Sequence, residues 1–283
     1  MAAGSGQGDH GDGWGSAVVD DGGPWPAGAD GGWSRHGTTT TAPPVGRSRR
    51  RGFRRWRWGV GLLLGGSIFL LVAGALFLCT LPGVGDAEAR VAARLAAHGG
   101  IALAPPVPET LARAVVASED RRFYQHHGVD PRALLRATWA TLHGHPEGGD
   151  TITEQLVQVL YGVHGRSPLA RLRVLGLALK LERRYTKAQI LAMYLNTVSF
   201  GDGLWGVTQA SQAYFAKAPA ALDWAEASLL VGVLPAPTWY EPRHHFAAAQ
   251  QRQRQVLHAL VHTGMLTPDQ AATAAAERLS LAP

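Results

Sequence analysis

Apolar residues recur at helical spacing through most of the chain beyond residue 107. Within 109–118, Leu111, Ala114, Val115 and Ser118 fall on one face, and Ile152, Leu156, Val159 and Leu160 form a second stripe. Helix starts are marked by their caps. Asp130-Pro131 reads as an N-cap followed by proline at the first helical position, opening a helix over 132–142. Thr186 with Gln189 is a capping box ahead of Ile190, Leu191, Tyr194 and Leu195. Asp223 with Glu226 is a similar start, before an apolar helix reaching Leu234, and Thr267-Pro268-Asp269-Gln270 is a third. No convincing run of alternating polar and apolar positions occurs and no repeat is visible. Residues 82–283 are therefore expected to form one mainly α domain.

Upstream the pattern changes. Residues 58–81 read WGVGLLLGGSIFLLVAGALFLCTL, 24 residues without a charge. As a helix they would reach about 36 Å, enough for a hydrocarbon core of about 30 Å. Seven arginines (47, 49, 50, 51, 54, 55 and 57) precede them, which by the positive-inside rule predicts a cytoplasmic N-terminus, with Trp56 and Trp58 as interfacial anchors. A cleaved signal peptide has a shorter apolar run that begins close to the N-terminus. The expectation is a single-pass cell-membrane protein: a cytoplasmic tail over 1–57, a transmembrane helix over 58–81 and an extracytoplasmic domain over 82–283. Cys79 then faces lipid or packs. Residues 1–46, crowded with Gly, Asp, Thr and Pro, cannot bury enough surface to offset their ordering entropy and are expected to be disordered.

Composition changes this picture little. The net charge of +6 comes from 24 Arg and 3 Lys against 21 acidic residues, and a basic cluster can bind nucleic acid. Here the cluster abuts the apolar run, so it is read as juxtamembrane, and no nucleic-acid partner is expected. A single Cys excludes a disulfide framework and any multi-Cys zinc site.

Three stretches carry candidate chemistry. Residues 118–128, SEDRRFYQHHG, end a helix with two adjacent carboxylates beside two Arg and two His. A carboxylate at a helix C-terminus meets the negative end of the dipole, which raises its pKa and suits a general acid or base; a solvated charged turn is the plainer reading. Gly148-Gly149-Asp150-Thr151 leads into a helix start rich in hydroxyls, fit either for an anion or for an ordinary Asp-capped loop. Arg171, Arg173, Arg183, Arg184 and Lys187 form a basic helix that either holds a diphosphate or is simply solvated.

The order of these pieces is more specific than any one of them. Glu119-Asp120-x-x-Phe123-x-x-His126-x-Gly128 resembles the first motif of the family 51 glycosyltransferases, the peptidoglycan polymerases that act on lipid II. The run from Gly148 to Leu156 is similar to the family's second motif, Gly-Gly-Ser-Thr-Ile-Thr-Gln-Gln-Leu. Leu181 to Lys187, Ile190-Leu191 and Tyr194-Leu195-Asn196 resemble its third region. The likeness continues through Gly201, Gly203, Gly206, Tyr214-Phe215-x-Lys217, Glu226-Ala227, Leu234-Pro235-x-Pro237 and Tyr240-x-Pro242, covering roughly residues 107–267. The departures are specific too. Asp150 stands for a family Ser and Glu154 for a Gln. Gln158-Val159 replaces Lys-Asn. The Arg-Lys-x-x-Glu motif falls on residues 170–174, so that Ala170 replaces its Arg and Val174 its Glu, while Arg171 keeps one charge. Ala192 replaces a Glu.

The resemblance implies a lysozyme-like glycosyltransferase domain and an inverting reaction. A Glu takes the proton of the acceptor GlcNAc 4-hydroxyl, that oxygen attacks C1 of the donor MurNAc, and undecaprenyl diphosphate leaves. Glu119 matches the base, with Asp120 beside it as the second catalytic residue. Phe123, His126, Gly149, Thr151, Thr153, Gln155, Arg171, Lys187 and Asn196 are the implied substrate-binding residues. The resemblance admits a divalent metal, Mg or Mn, with ligands unknown. The implied partners are lipid II, the nascent glycan strand, the membrane and other cell-wall synthesis proteins. Leu134, Leu135, Trp139 and Leu142 match the family's membrane-dipping region or else pack in the core. Neither Ser-x-x-Lys nor Lys-Thr-Gly occurs, so a stand-alone polymerase without a transpeptidase domain is expected. The alternative, favoured by the changes at Gln158, Ala170 and Val174, is a weakened or inactive relative acting as a cell-wall binding or scaffolding protein.

Overall fold

The uncharged run lies in the longest described helix of a computed structural model, which describes residues 49–144, 149–165 and 167–282. In that helix, α1 (Arg49–Thr80), the 19 residues Leu62–Thr80 are long and apolar enough to cross a membrane. They extend about 28 Å, close to the thickness of a hydrocarbon core. None of that window is buried against protein. Apart from Phe77 and Leu78, which pack against the domain core, this apolar stretch is unpartnered and matched to an apolar solvent. The chain divides into two units, Met1–Trp58 and Gly59–Pro283. The expected disordered tail over 1–46 lies outside the described residues.

Within the second unit, the end of α1 and the residues after it lie against α6 (Pro168–Arg184). On α6, a Cβ at Gly176 would run into Leu81 and lie 3.1 Å from Leu78 Cδ2, so glycine is what lets the two segments touch. Lys180 Nζ donates to the carbonyls of Leu81 (2.7 Å) and Pro82 (3.2 Å), and the Tyr185 hydroxyl donates to Val84 O at 3.2 Å. The chain then enters α2 (Ala87–Ala97), whose Ala87, Val91 and Leu95 are buried at spacings of four.

Beyond α2 the domain is helical: α3 (Glu109–Glu119), α4 (Pro131–Leu142), α5 (Ile152–Tyr161), α6, α7 (Lys187–Thr197), α8 (Val207–Phe215), α9 (Trp224–Val233), α10 (Pro237–Tyr240), α11 (Phe246–His262) and α12 (Pro268–Ala276). Among the described residues the one β feature is an isolated bridge between Ser199 and Trp205. All three capping boxes expected from the sequence form, at Thr186, Asp223 and Thr267. The stripe expected on α5 shifts slightly, because Val157 is fully buried and Val159 only half-buried.

Two packed groups of helices make the core. Residues 225–233 of α9 are buried on every side, which places that helix in the middle of α3, α8, α10, α11 and α12. Gly232 allows its crossing with α11, since a Cβ there would sit 3.0 Å from Arg252 Cβ and 3.1 Å from Gln253 N. The second group packs α5 against α6 and α7, with α2 alongside. Gly128, at φ +89°, lays the loop after α3 onto α6, where a Cβ would come within 2.7 Å of Ala178 O. Between the two groups a cleft opens.

Candidate active site

The cleft encloses about 1100 Å³ and is lined by Ser118, Glu119 and Asp120 at the end of α3, Ala133 and Arg136 on α4, and residues 149–151. Gln155 and Gln158 on α5, Pro235 and Arg252 complete its walls with Arg121, Arg122 and Asp130. Glu119 is the last residue of α3, so its side chain leaves the helix where the chain turns into the cleft. Gln155 Nε2 donates to Glu119 Oε2 at 3.3 Å, and the Tyr194 hydroxyl donates to Gln155 Oε1 at 3.0 Å. The ionised carboxylate, which only accepts, selects the N–H end of the amide, and the Tyr194 hydroxyl serves the oxygen end. Burial pushes the Glu119 carboxyl above its ordinary range, against the opposing pull of the Gln155 hydrogen bond and of the Arg252 charge.

Asp120, the neighbouring carboxylate, is engaged elsewhere. Its Oδ2 meets His126 Nε2 at 2.9 Å and accepts from the Ile152 backbone N–H at 3.2 Å. That N–H belongs to the first residue of α5, where the sequence suggested room for an anion. A protein carboxylate already takes part of that helix end. Thr151 completes the cap, accepting from Glu154 N at 3.1 Å and donating to Gly128 O at 2.7 Å. His126 is buried, and its Nδ1 has no hydrogen-bond partner among the described residues.

Asp150, Glu154 and Gln158, three of the positions expected to depart from the resembled motifs, form a network with Arg171. Arg171 Nη1 pairs with Asp150, and its Nη2 lies 2.9 Å from Glu154 Oε2, in an ion-pair contact not aligned as a hydrogen bond. Asp150 Oδ2 also accepts from Gln158 Nε2 at 2.6 Å. Glu154 is 1 % exposed, and burial pushes its carboxyl up to about 8, with the Asp150 charge adding to the rise and Arg171 opposing it. Val174, where the resemblance predicts a Glu, is 4 % exposed within the apolar core and offers the cleft nothing.

Several residues expected to bind substrate support the site from behind. Phe123 is fully buried with Lys187 Nζ 4.2 Å above its ring, so it packs and does not line the cleft. Thr153 is also buried and donates to Glu182 Oε1 at 2.6 Å, the same oxygen that Lys187 meets at 2.6 Å. Lys187 is thus neutralised away from the cleft. Asn196 clamps the chain before α3, accepting from Leu103 N at 2.8 Å and donating to Leu103 O at 2.9 Å. Gly149, Thr151 and Gln155 do line the cleft.

Arg252 is the main residue that the sequence reading missed. It reaches the cleft from α11, is held by Gln255 and lies 5.5 Å over the Tyr240 ring. Arg121, Arg122 and Arg136 also border the cleft, with Arg122 Nη1 2.7 Å from Asp130 Oδ1. Among the described residues no three His, Cys, Asp or Glu side chains converge, and an arginine already bridges Asp150 and Glu154.

On α4, Leu135 is 71 % and Trp139 67 % exposed, so of the two readings of this helix core packing does not hold for them. Leu134 is half-buried, and the side chain of Leu142 lies outside the described residues.

The chain matches the family model described as Transglycosylase over residues 94–261. It is 36 % identical over 177 residues to penicillin-binding protein 4 of Bacillus subtilis, covering 62 % of this chain and 28 % of that protein. It is 38 % identical over 166 residues to penicillin-binding protein 1A of Aquifex aeolicus, covering 58 % and 23 %. The crystal structure of penicillin-binding protein 1A from Haemophilus influenzae aligns with a TM-score of 0.40 and 18 % identity, over 64 % of this chain and 18 % of that one, too distant to bear on the fold. The chain spans about a quarter of the length of the curated relatives it matches.

Proposed function

Because the chain belongs to the transglycosylase family, we propose that it polymerises lipid II into peptidoglycan glycan strands. Glu119 is the general base in this reading. It takes the proton from the acceptor GlcNAc 4-hydroxyl, the freed oxygen attacks C1 of the donor MurNAc, and the undecaprenyl diphosphate leaves with inversion. The observation that carries the reading is a carboxylate held by Gln155 at the rim of a cleft bordered by Arg121, Arg122, Arg136 and Arg252. Its raised pKa brings the base nearer to neutral pH, where proton abstraction is most effective. The arginines supply the positive charge that a departing diphosphate needs.

Asp120 is a positioning residue in this scheme, tying His126 and the start of α5 to the end of α3. The exposed Leu135 and Trp139 sit on the helix that also supplies Ala133 and Arg136 to the cleft, which favours α4 as the part that meets the lipid interface. A lipid-borne substrate then reaches the cleft without leaving the bilayer. The N-terminus is cytoplasmic and the domain after α1 extracytoplasmic. A divalent ion is assigned no protein ligands.

One observation favours the alternative of a weakened or scaffolding relative. Val174 lies in the core, and Arg171 is paired to two carboxylates, so two charges usual in the family are missing or engaged. The experiment that decides is polymerisation of labelled lipid II by the full chain in detergent, with products sized by gel. A ladder of glycan strands supports the polymerase; unconverted lipid II at an enzyme-to-substrate ratio sufficient for a relative with complete motifs rejects it.

A further inference from the structure

Arg171 is touched by two carboxylates that differ in one respect. Glu154 is 1 % exposed and fixed in α5, whereas Asp150 is a loop residue whose side chain is 36 % exposed on the cleft wall. Arg171 itself is not part of the cleft lining, while Asp150 and Gln158 are. Asp150 thus stands on the cleft wall beside this guanidinium, whose side chain is 30 % exposed. The guanidinium is a planar fork of N–H donors, so the Asp150 carboxylate on Nη1 competes with a phosphate oxygen for that nitrogen. The neighbouring anion site is closed in the same way, with the Asp120 carboxylate on the first N–H of α5.

Resting on the reading of the cleft as a diphosphate site, we propose that Asp150 gates Arg171. In the free protein Asp150 is the internal competitor that occupies the guanidinium. Glu154 is the buried clasp that keeps the guanidinium in place when Asp150 leaves. Gln158, which donates to the other Asp150 oxygen, is the partner on which the displaced carboxylate stays. The incoming diphosphate takes the vacated Nη1, so Arg171 becomes a cation for the leaving group only when a diphosphate is present. Asp150 is thus a specificity-determining residue, and Glu154 a positioning residue that acts through Arg171.

The test uses the full chain in detergent and inorganic pyrophosphate as the probe, with binding measured by calorimetry at pH 7. Asp150→Asn should tighten pyrophosphate binding about tenfold, because screening at a rim position leaves only part of the unscreened charge interaction. That gain should vanish in an Arg171→Ala background, the coupling expected of two residues in one contact. Glu154→Ala should weaken binding, while Glu154→Gln, which keeps an acceptor oxygen at the guanidinium, should stay within about threefold of the parent. The Asp150 and Arg171 variants decide the matter even if Glu154→Ala fails to fold. No gain in Asp150→Asn, a gain that persists without Arg171, or no pyrophosphate binding by any variant would each overturn the gate. The lipid II assay on the same samples separates the two proposals: the pyrophosphate pattern without polymerisation keeps the gate and discards the polymerase.

Discussion

Gln155 holds Glu119 by a single amide N–H, 3.3 Å from the carboxylate oxygen, and Tyr194 holds the other end of that amide. The contact favours the charged carboxylate, against the burial that disfavours it. Replacing Gln155 by Leu removes the donor and leaves the Tyr194 hydroxyl without its acceptor. The acid limb of the pH–rate profile should then move to higher pH, with the maximal rate lowered about tenfold or more. An acid limb at the parental position would separate Gln155 from the base.

Glu154 makes stability depend on pH. Its carboxyl rises from 4.5 to about 8 on folding, and the charged groups facing it are Arg171, Asp150 and Asp120. A raised carboxyl contributes stability that is complete below the unfolded value and lost as pH climbs through the folded one. The parent should therefore lose stability between pH 4.5 and 8, by on the order of 4 kcal/mol at most, while Glu154→Gln loses much less over that window. Urea unfolding at pH 5 and pH 8 measures the difference, and parallel pH dependence of the two proteins would refute it.

Gly128 has no room for a side chain. Its φ of +89° and the 2.7 Å approach of a Cβ to Ala178 O mean that Gly128→Ala must move either the loop or α6. A loss of about 2 kcal/mol or more is expected, read from the urea midpoint at constant slope. Because Gly128 O also accepts from Thr151, activity should fall together with stability.

The orientation of α1 is testable separately. Protease added to intact protoplasts should remove the domain beyond Pro82 and spare the arginine-rich tail. Digestion of the tail with protection of the domain would reverse the topology.

Much of this architecture was legible because its signals are local. The boxes at Thr186, Asp223 and Thr267 announce their helices within four residues, and the uncharged run announces α1. The central place of α9 was not legible, because a helix buried all round has no periodicity to show which face packs. In the site, the first motif points to Glu119, but the motifs do not separate contact from support. Phe123, Thr153 and Asn196 match the three resembled regions and lie behind the wall, holding the residues that form it. Arg252 went unnoticed because it stands in a polar stretch of α11, far along the chain, and only tertiary packing brings it to the cleft. Restoring the family pattern at Val174 is likewise not a local matter. A Glu at that core position would bury a carboxylate among apolar side chains.

The central claim is that Glu119 removes the proton of the acceptor hydroxyl. Its direct test is polymerisation of labelled lipid II by full-length Glu119→Gln beside the parent, with matching thermal unfolding as the control for fold. The substitution keeps the size of the side chain and its capacity to meet Gln155, and removes only the base. The account predicts a loss of about 10²–10⁴-fold in strand formation at an unchanged melting temperature. Parental strand formation by Glu119→Gln would contradict it.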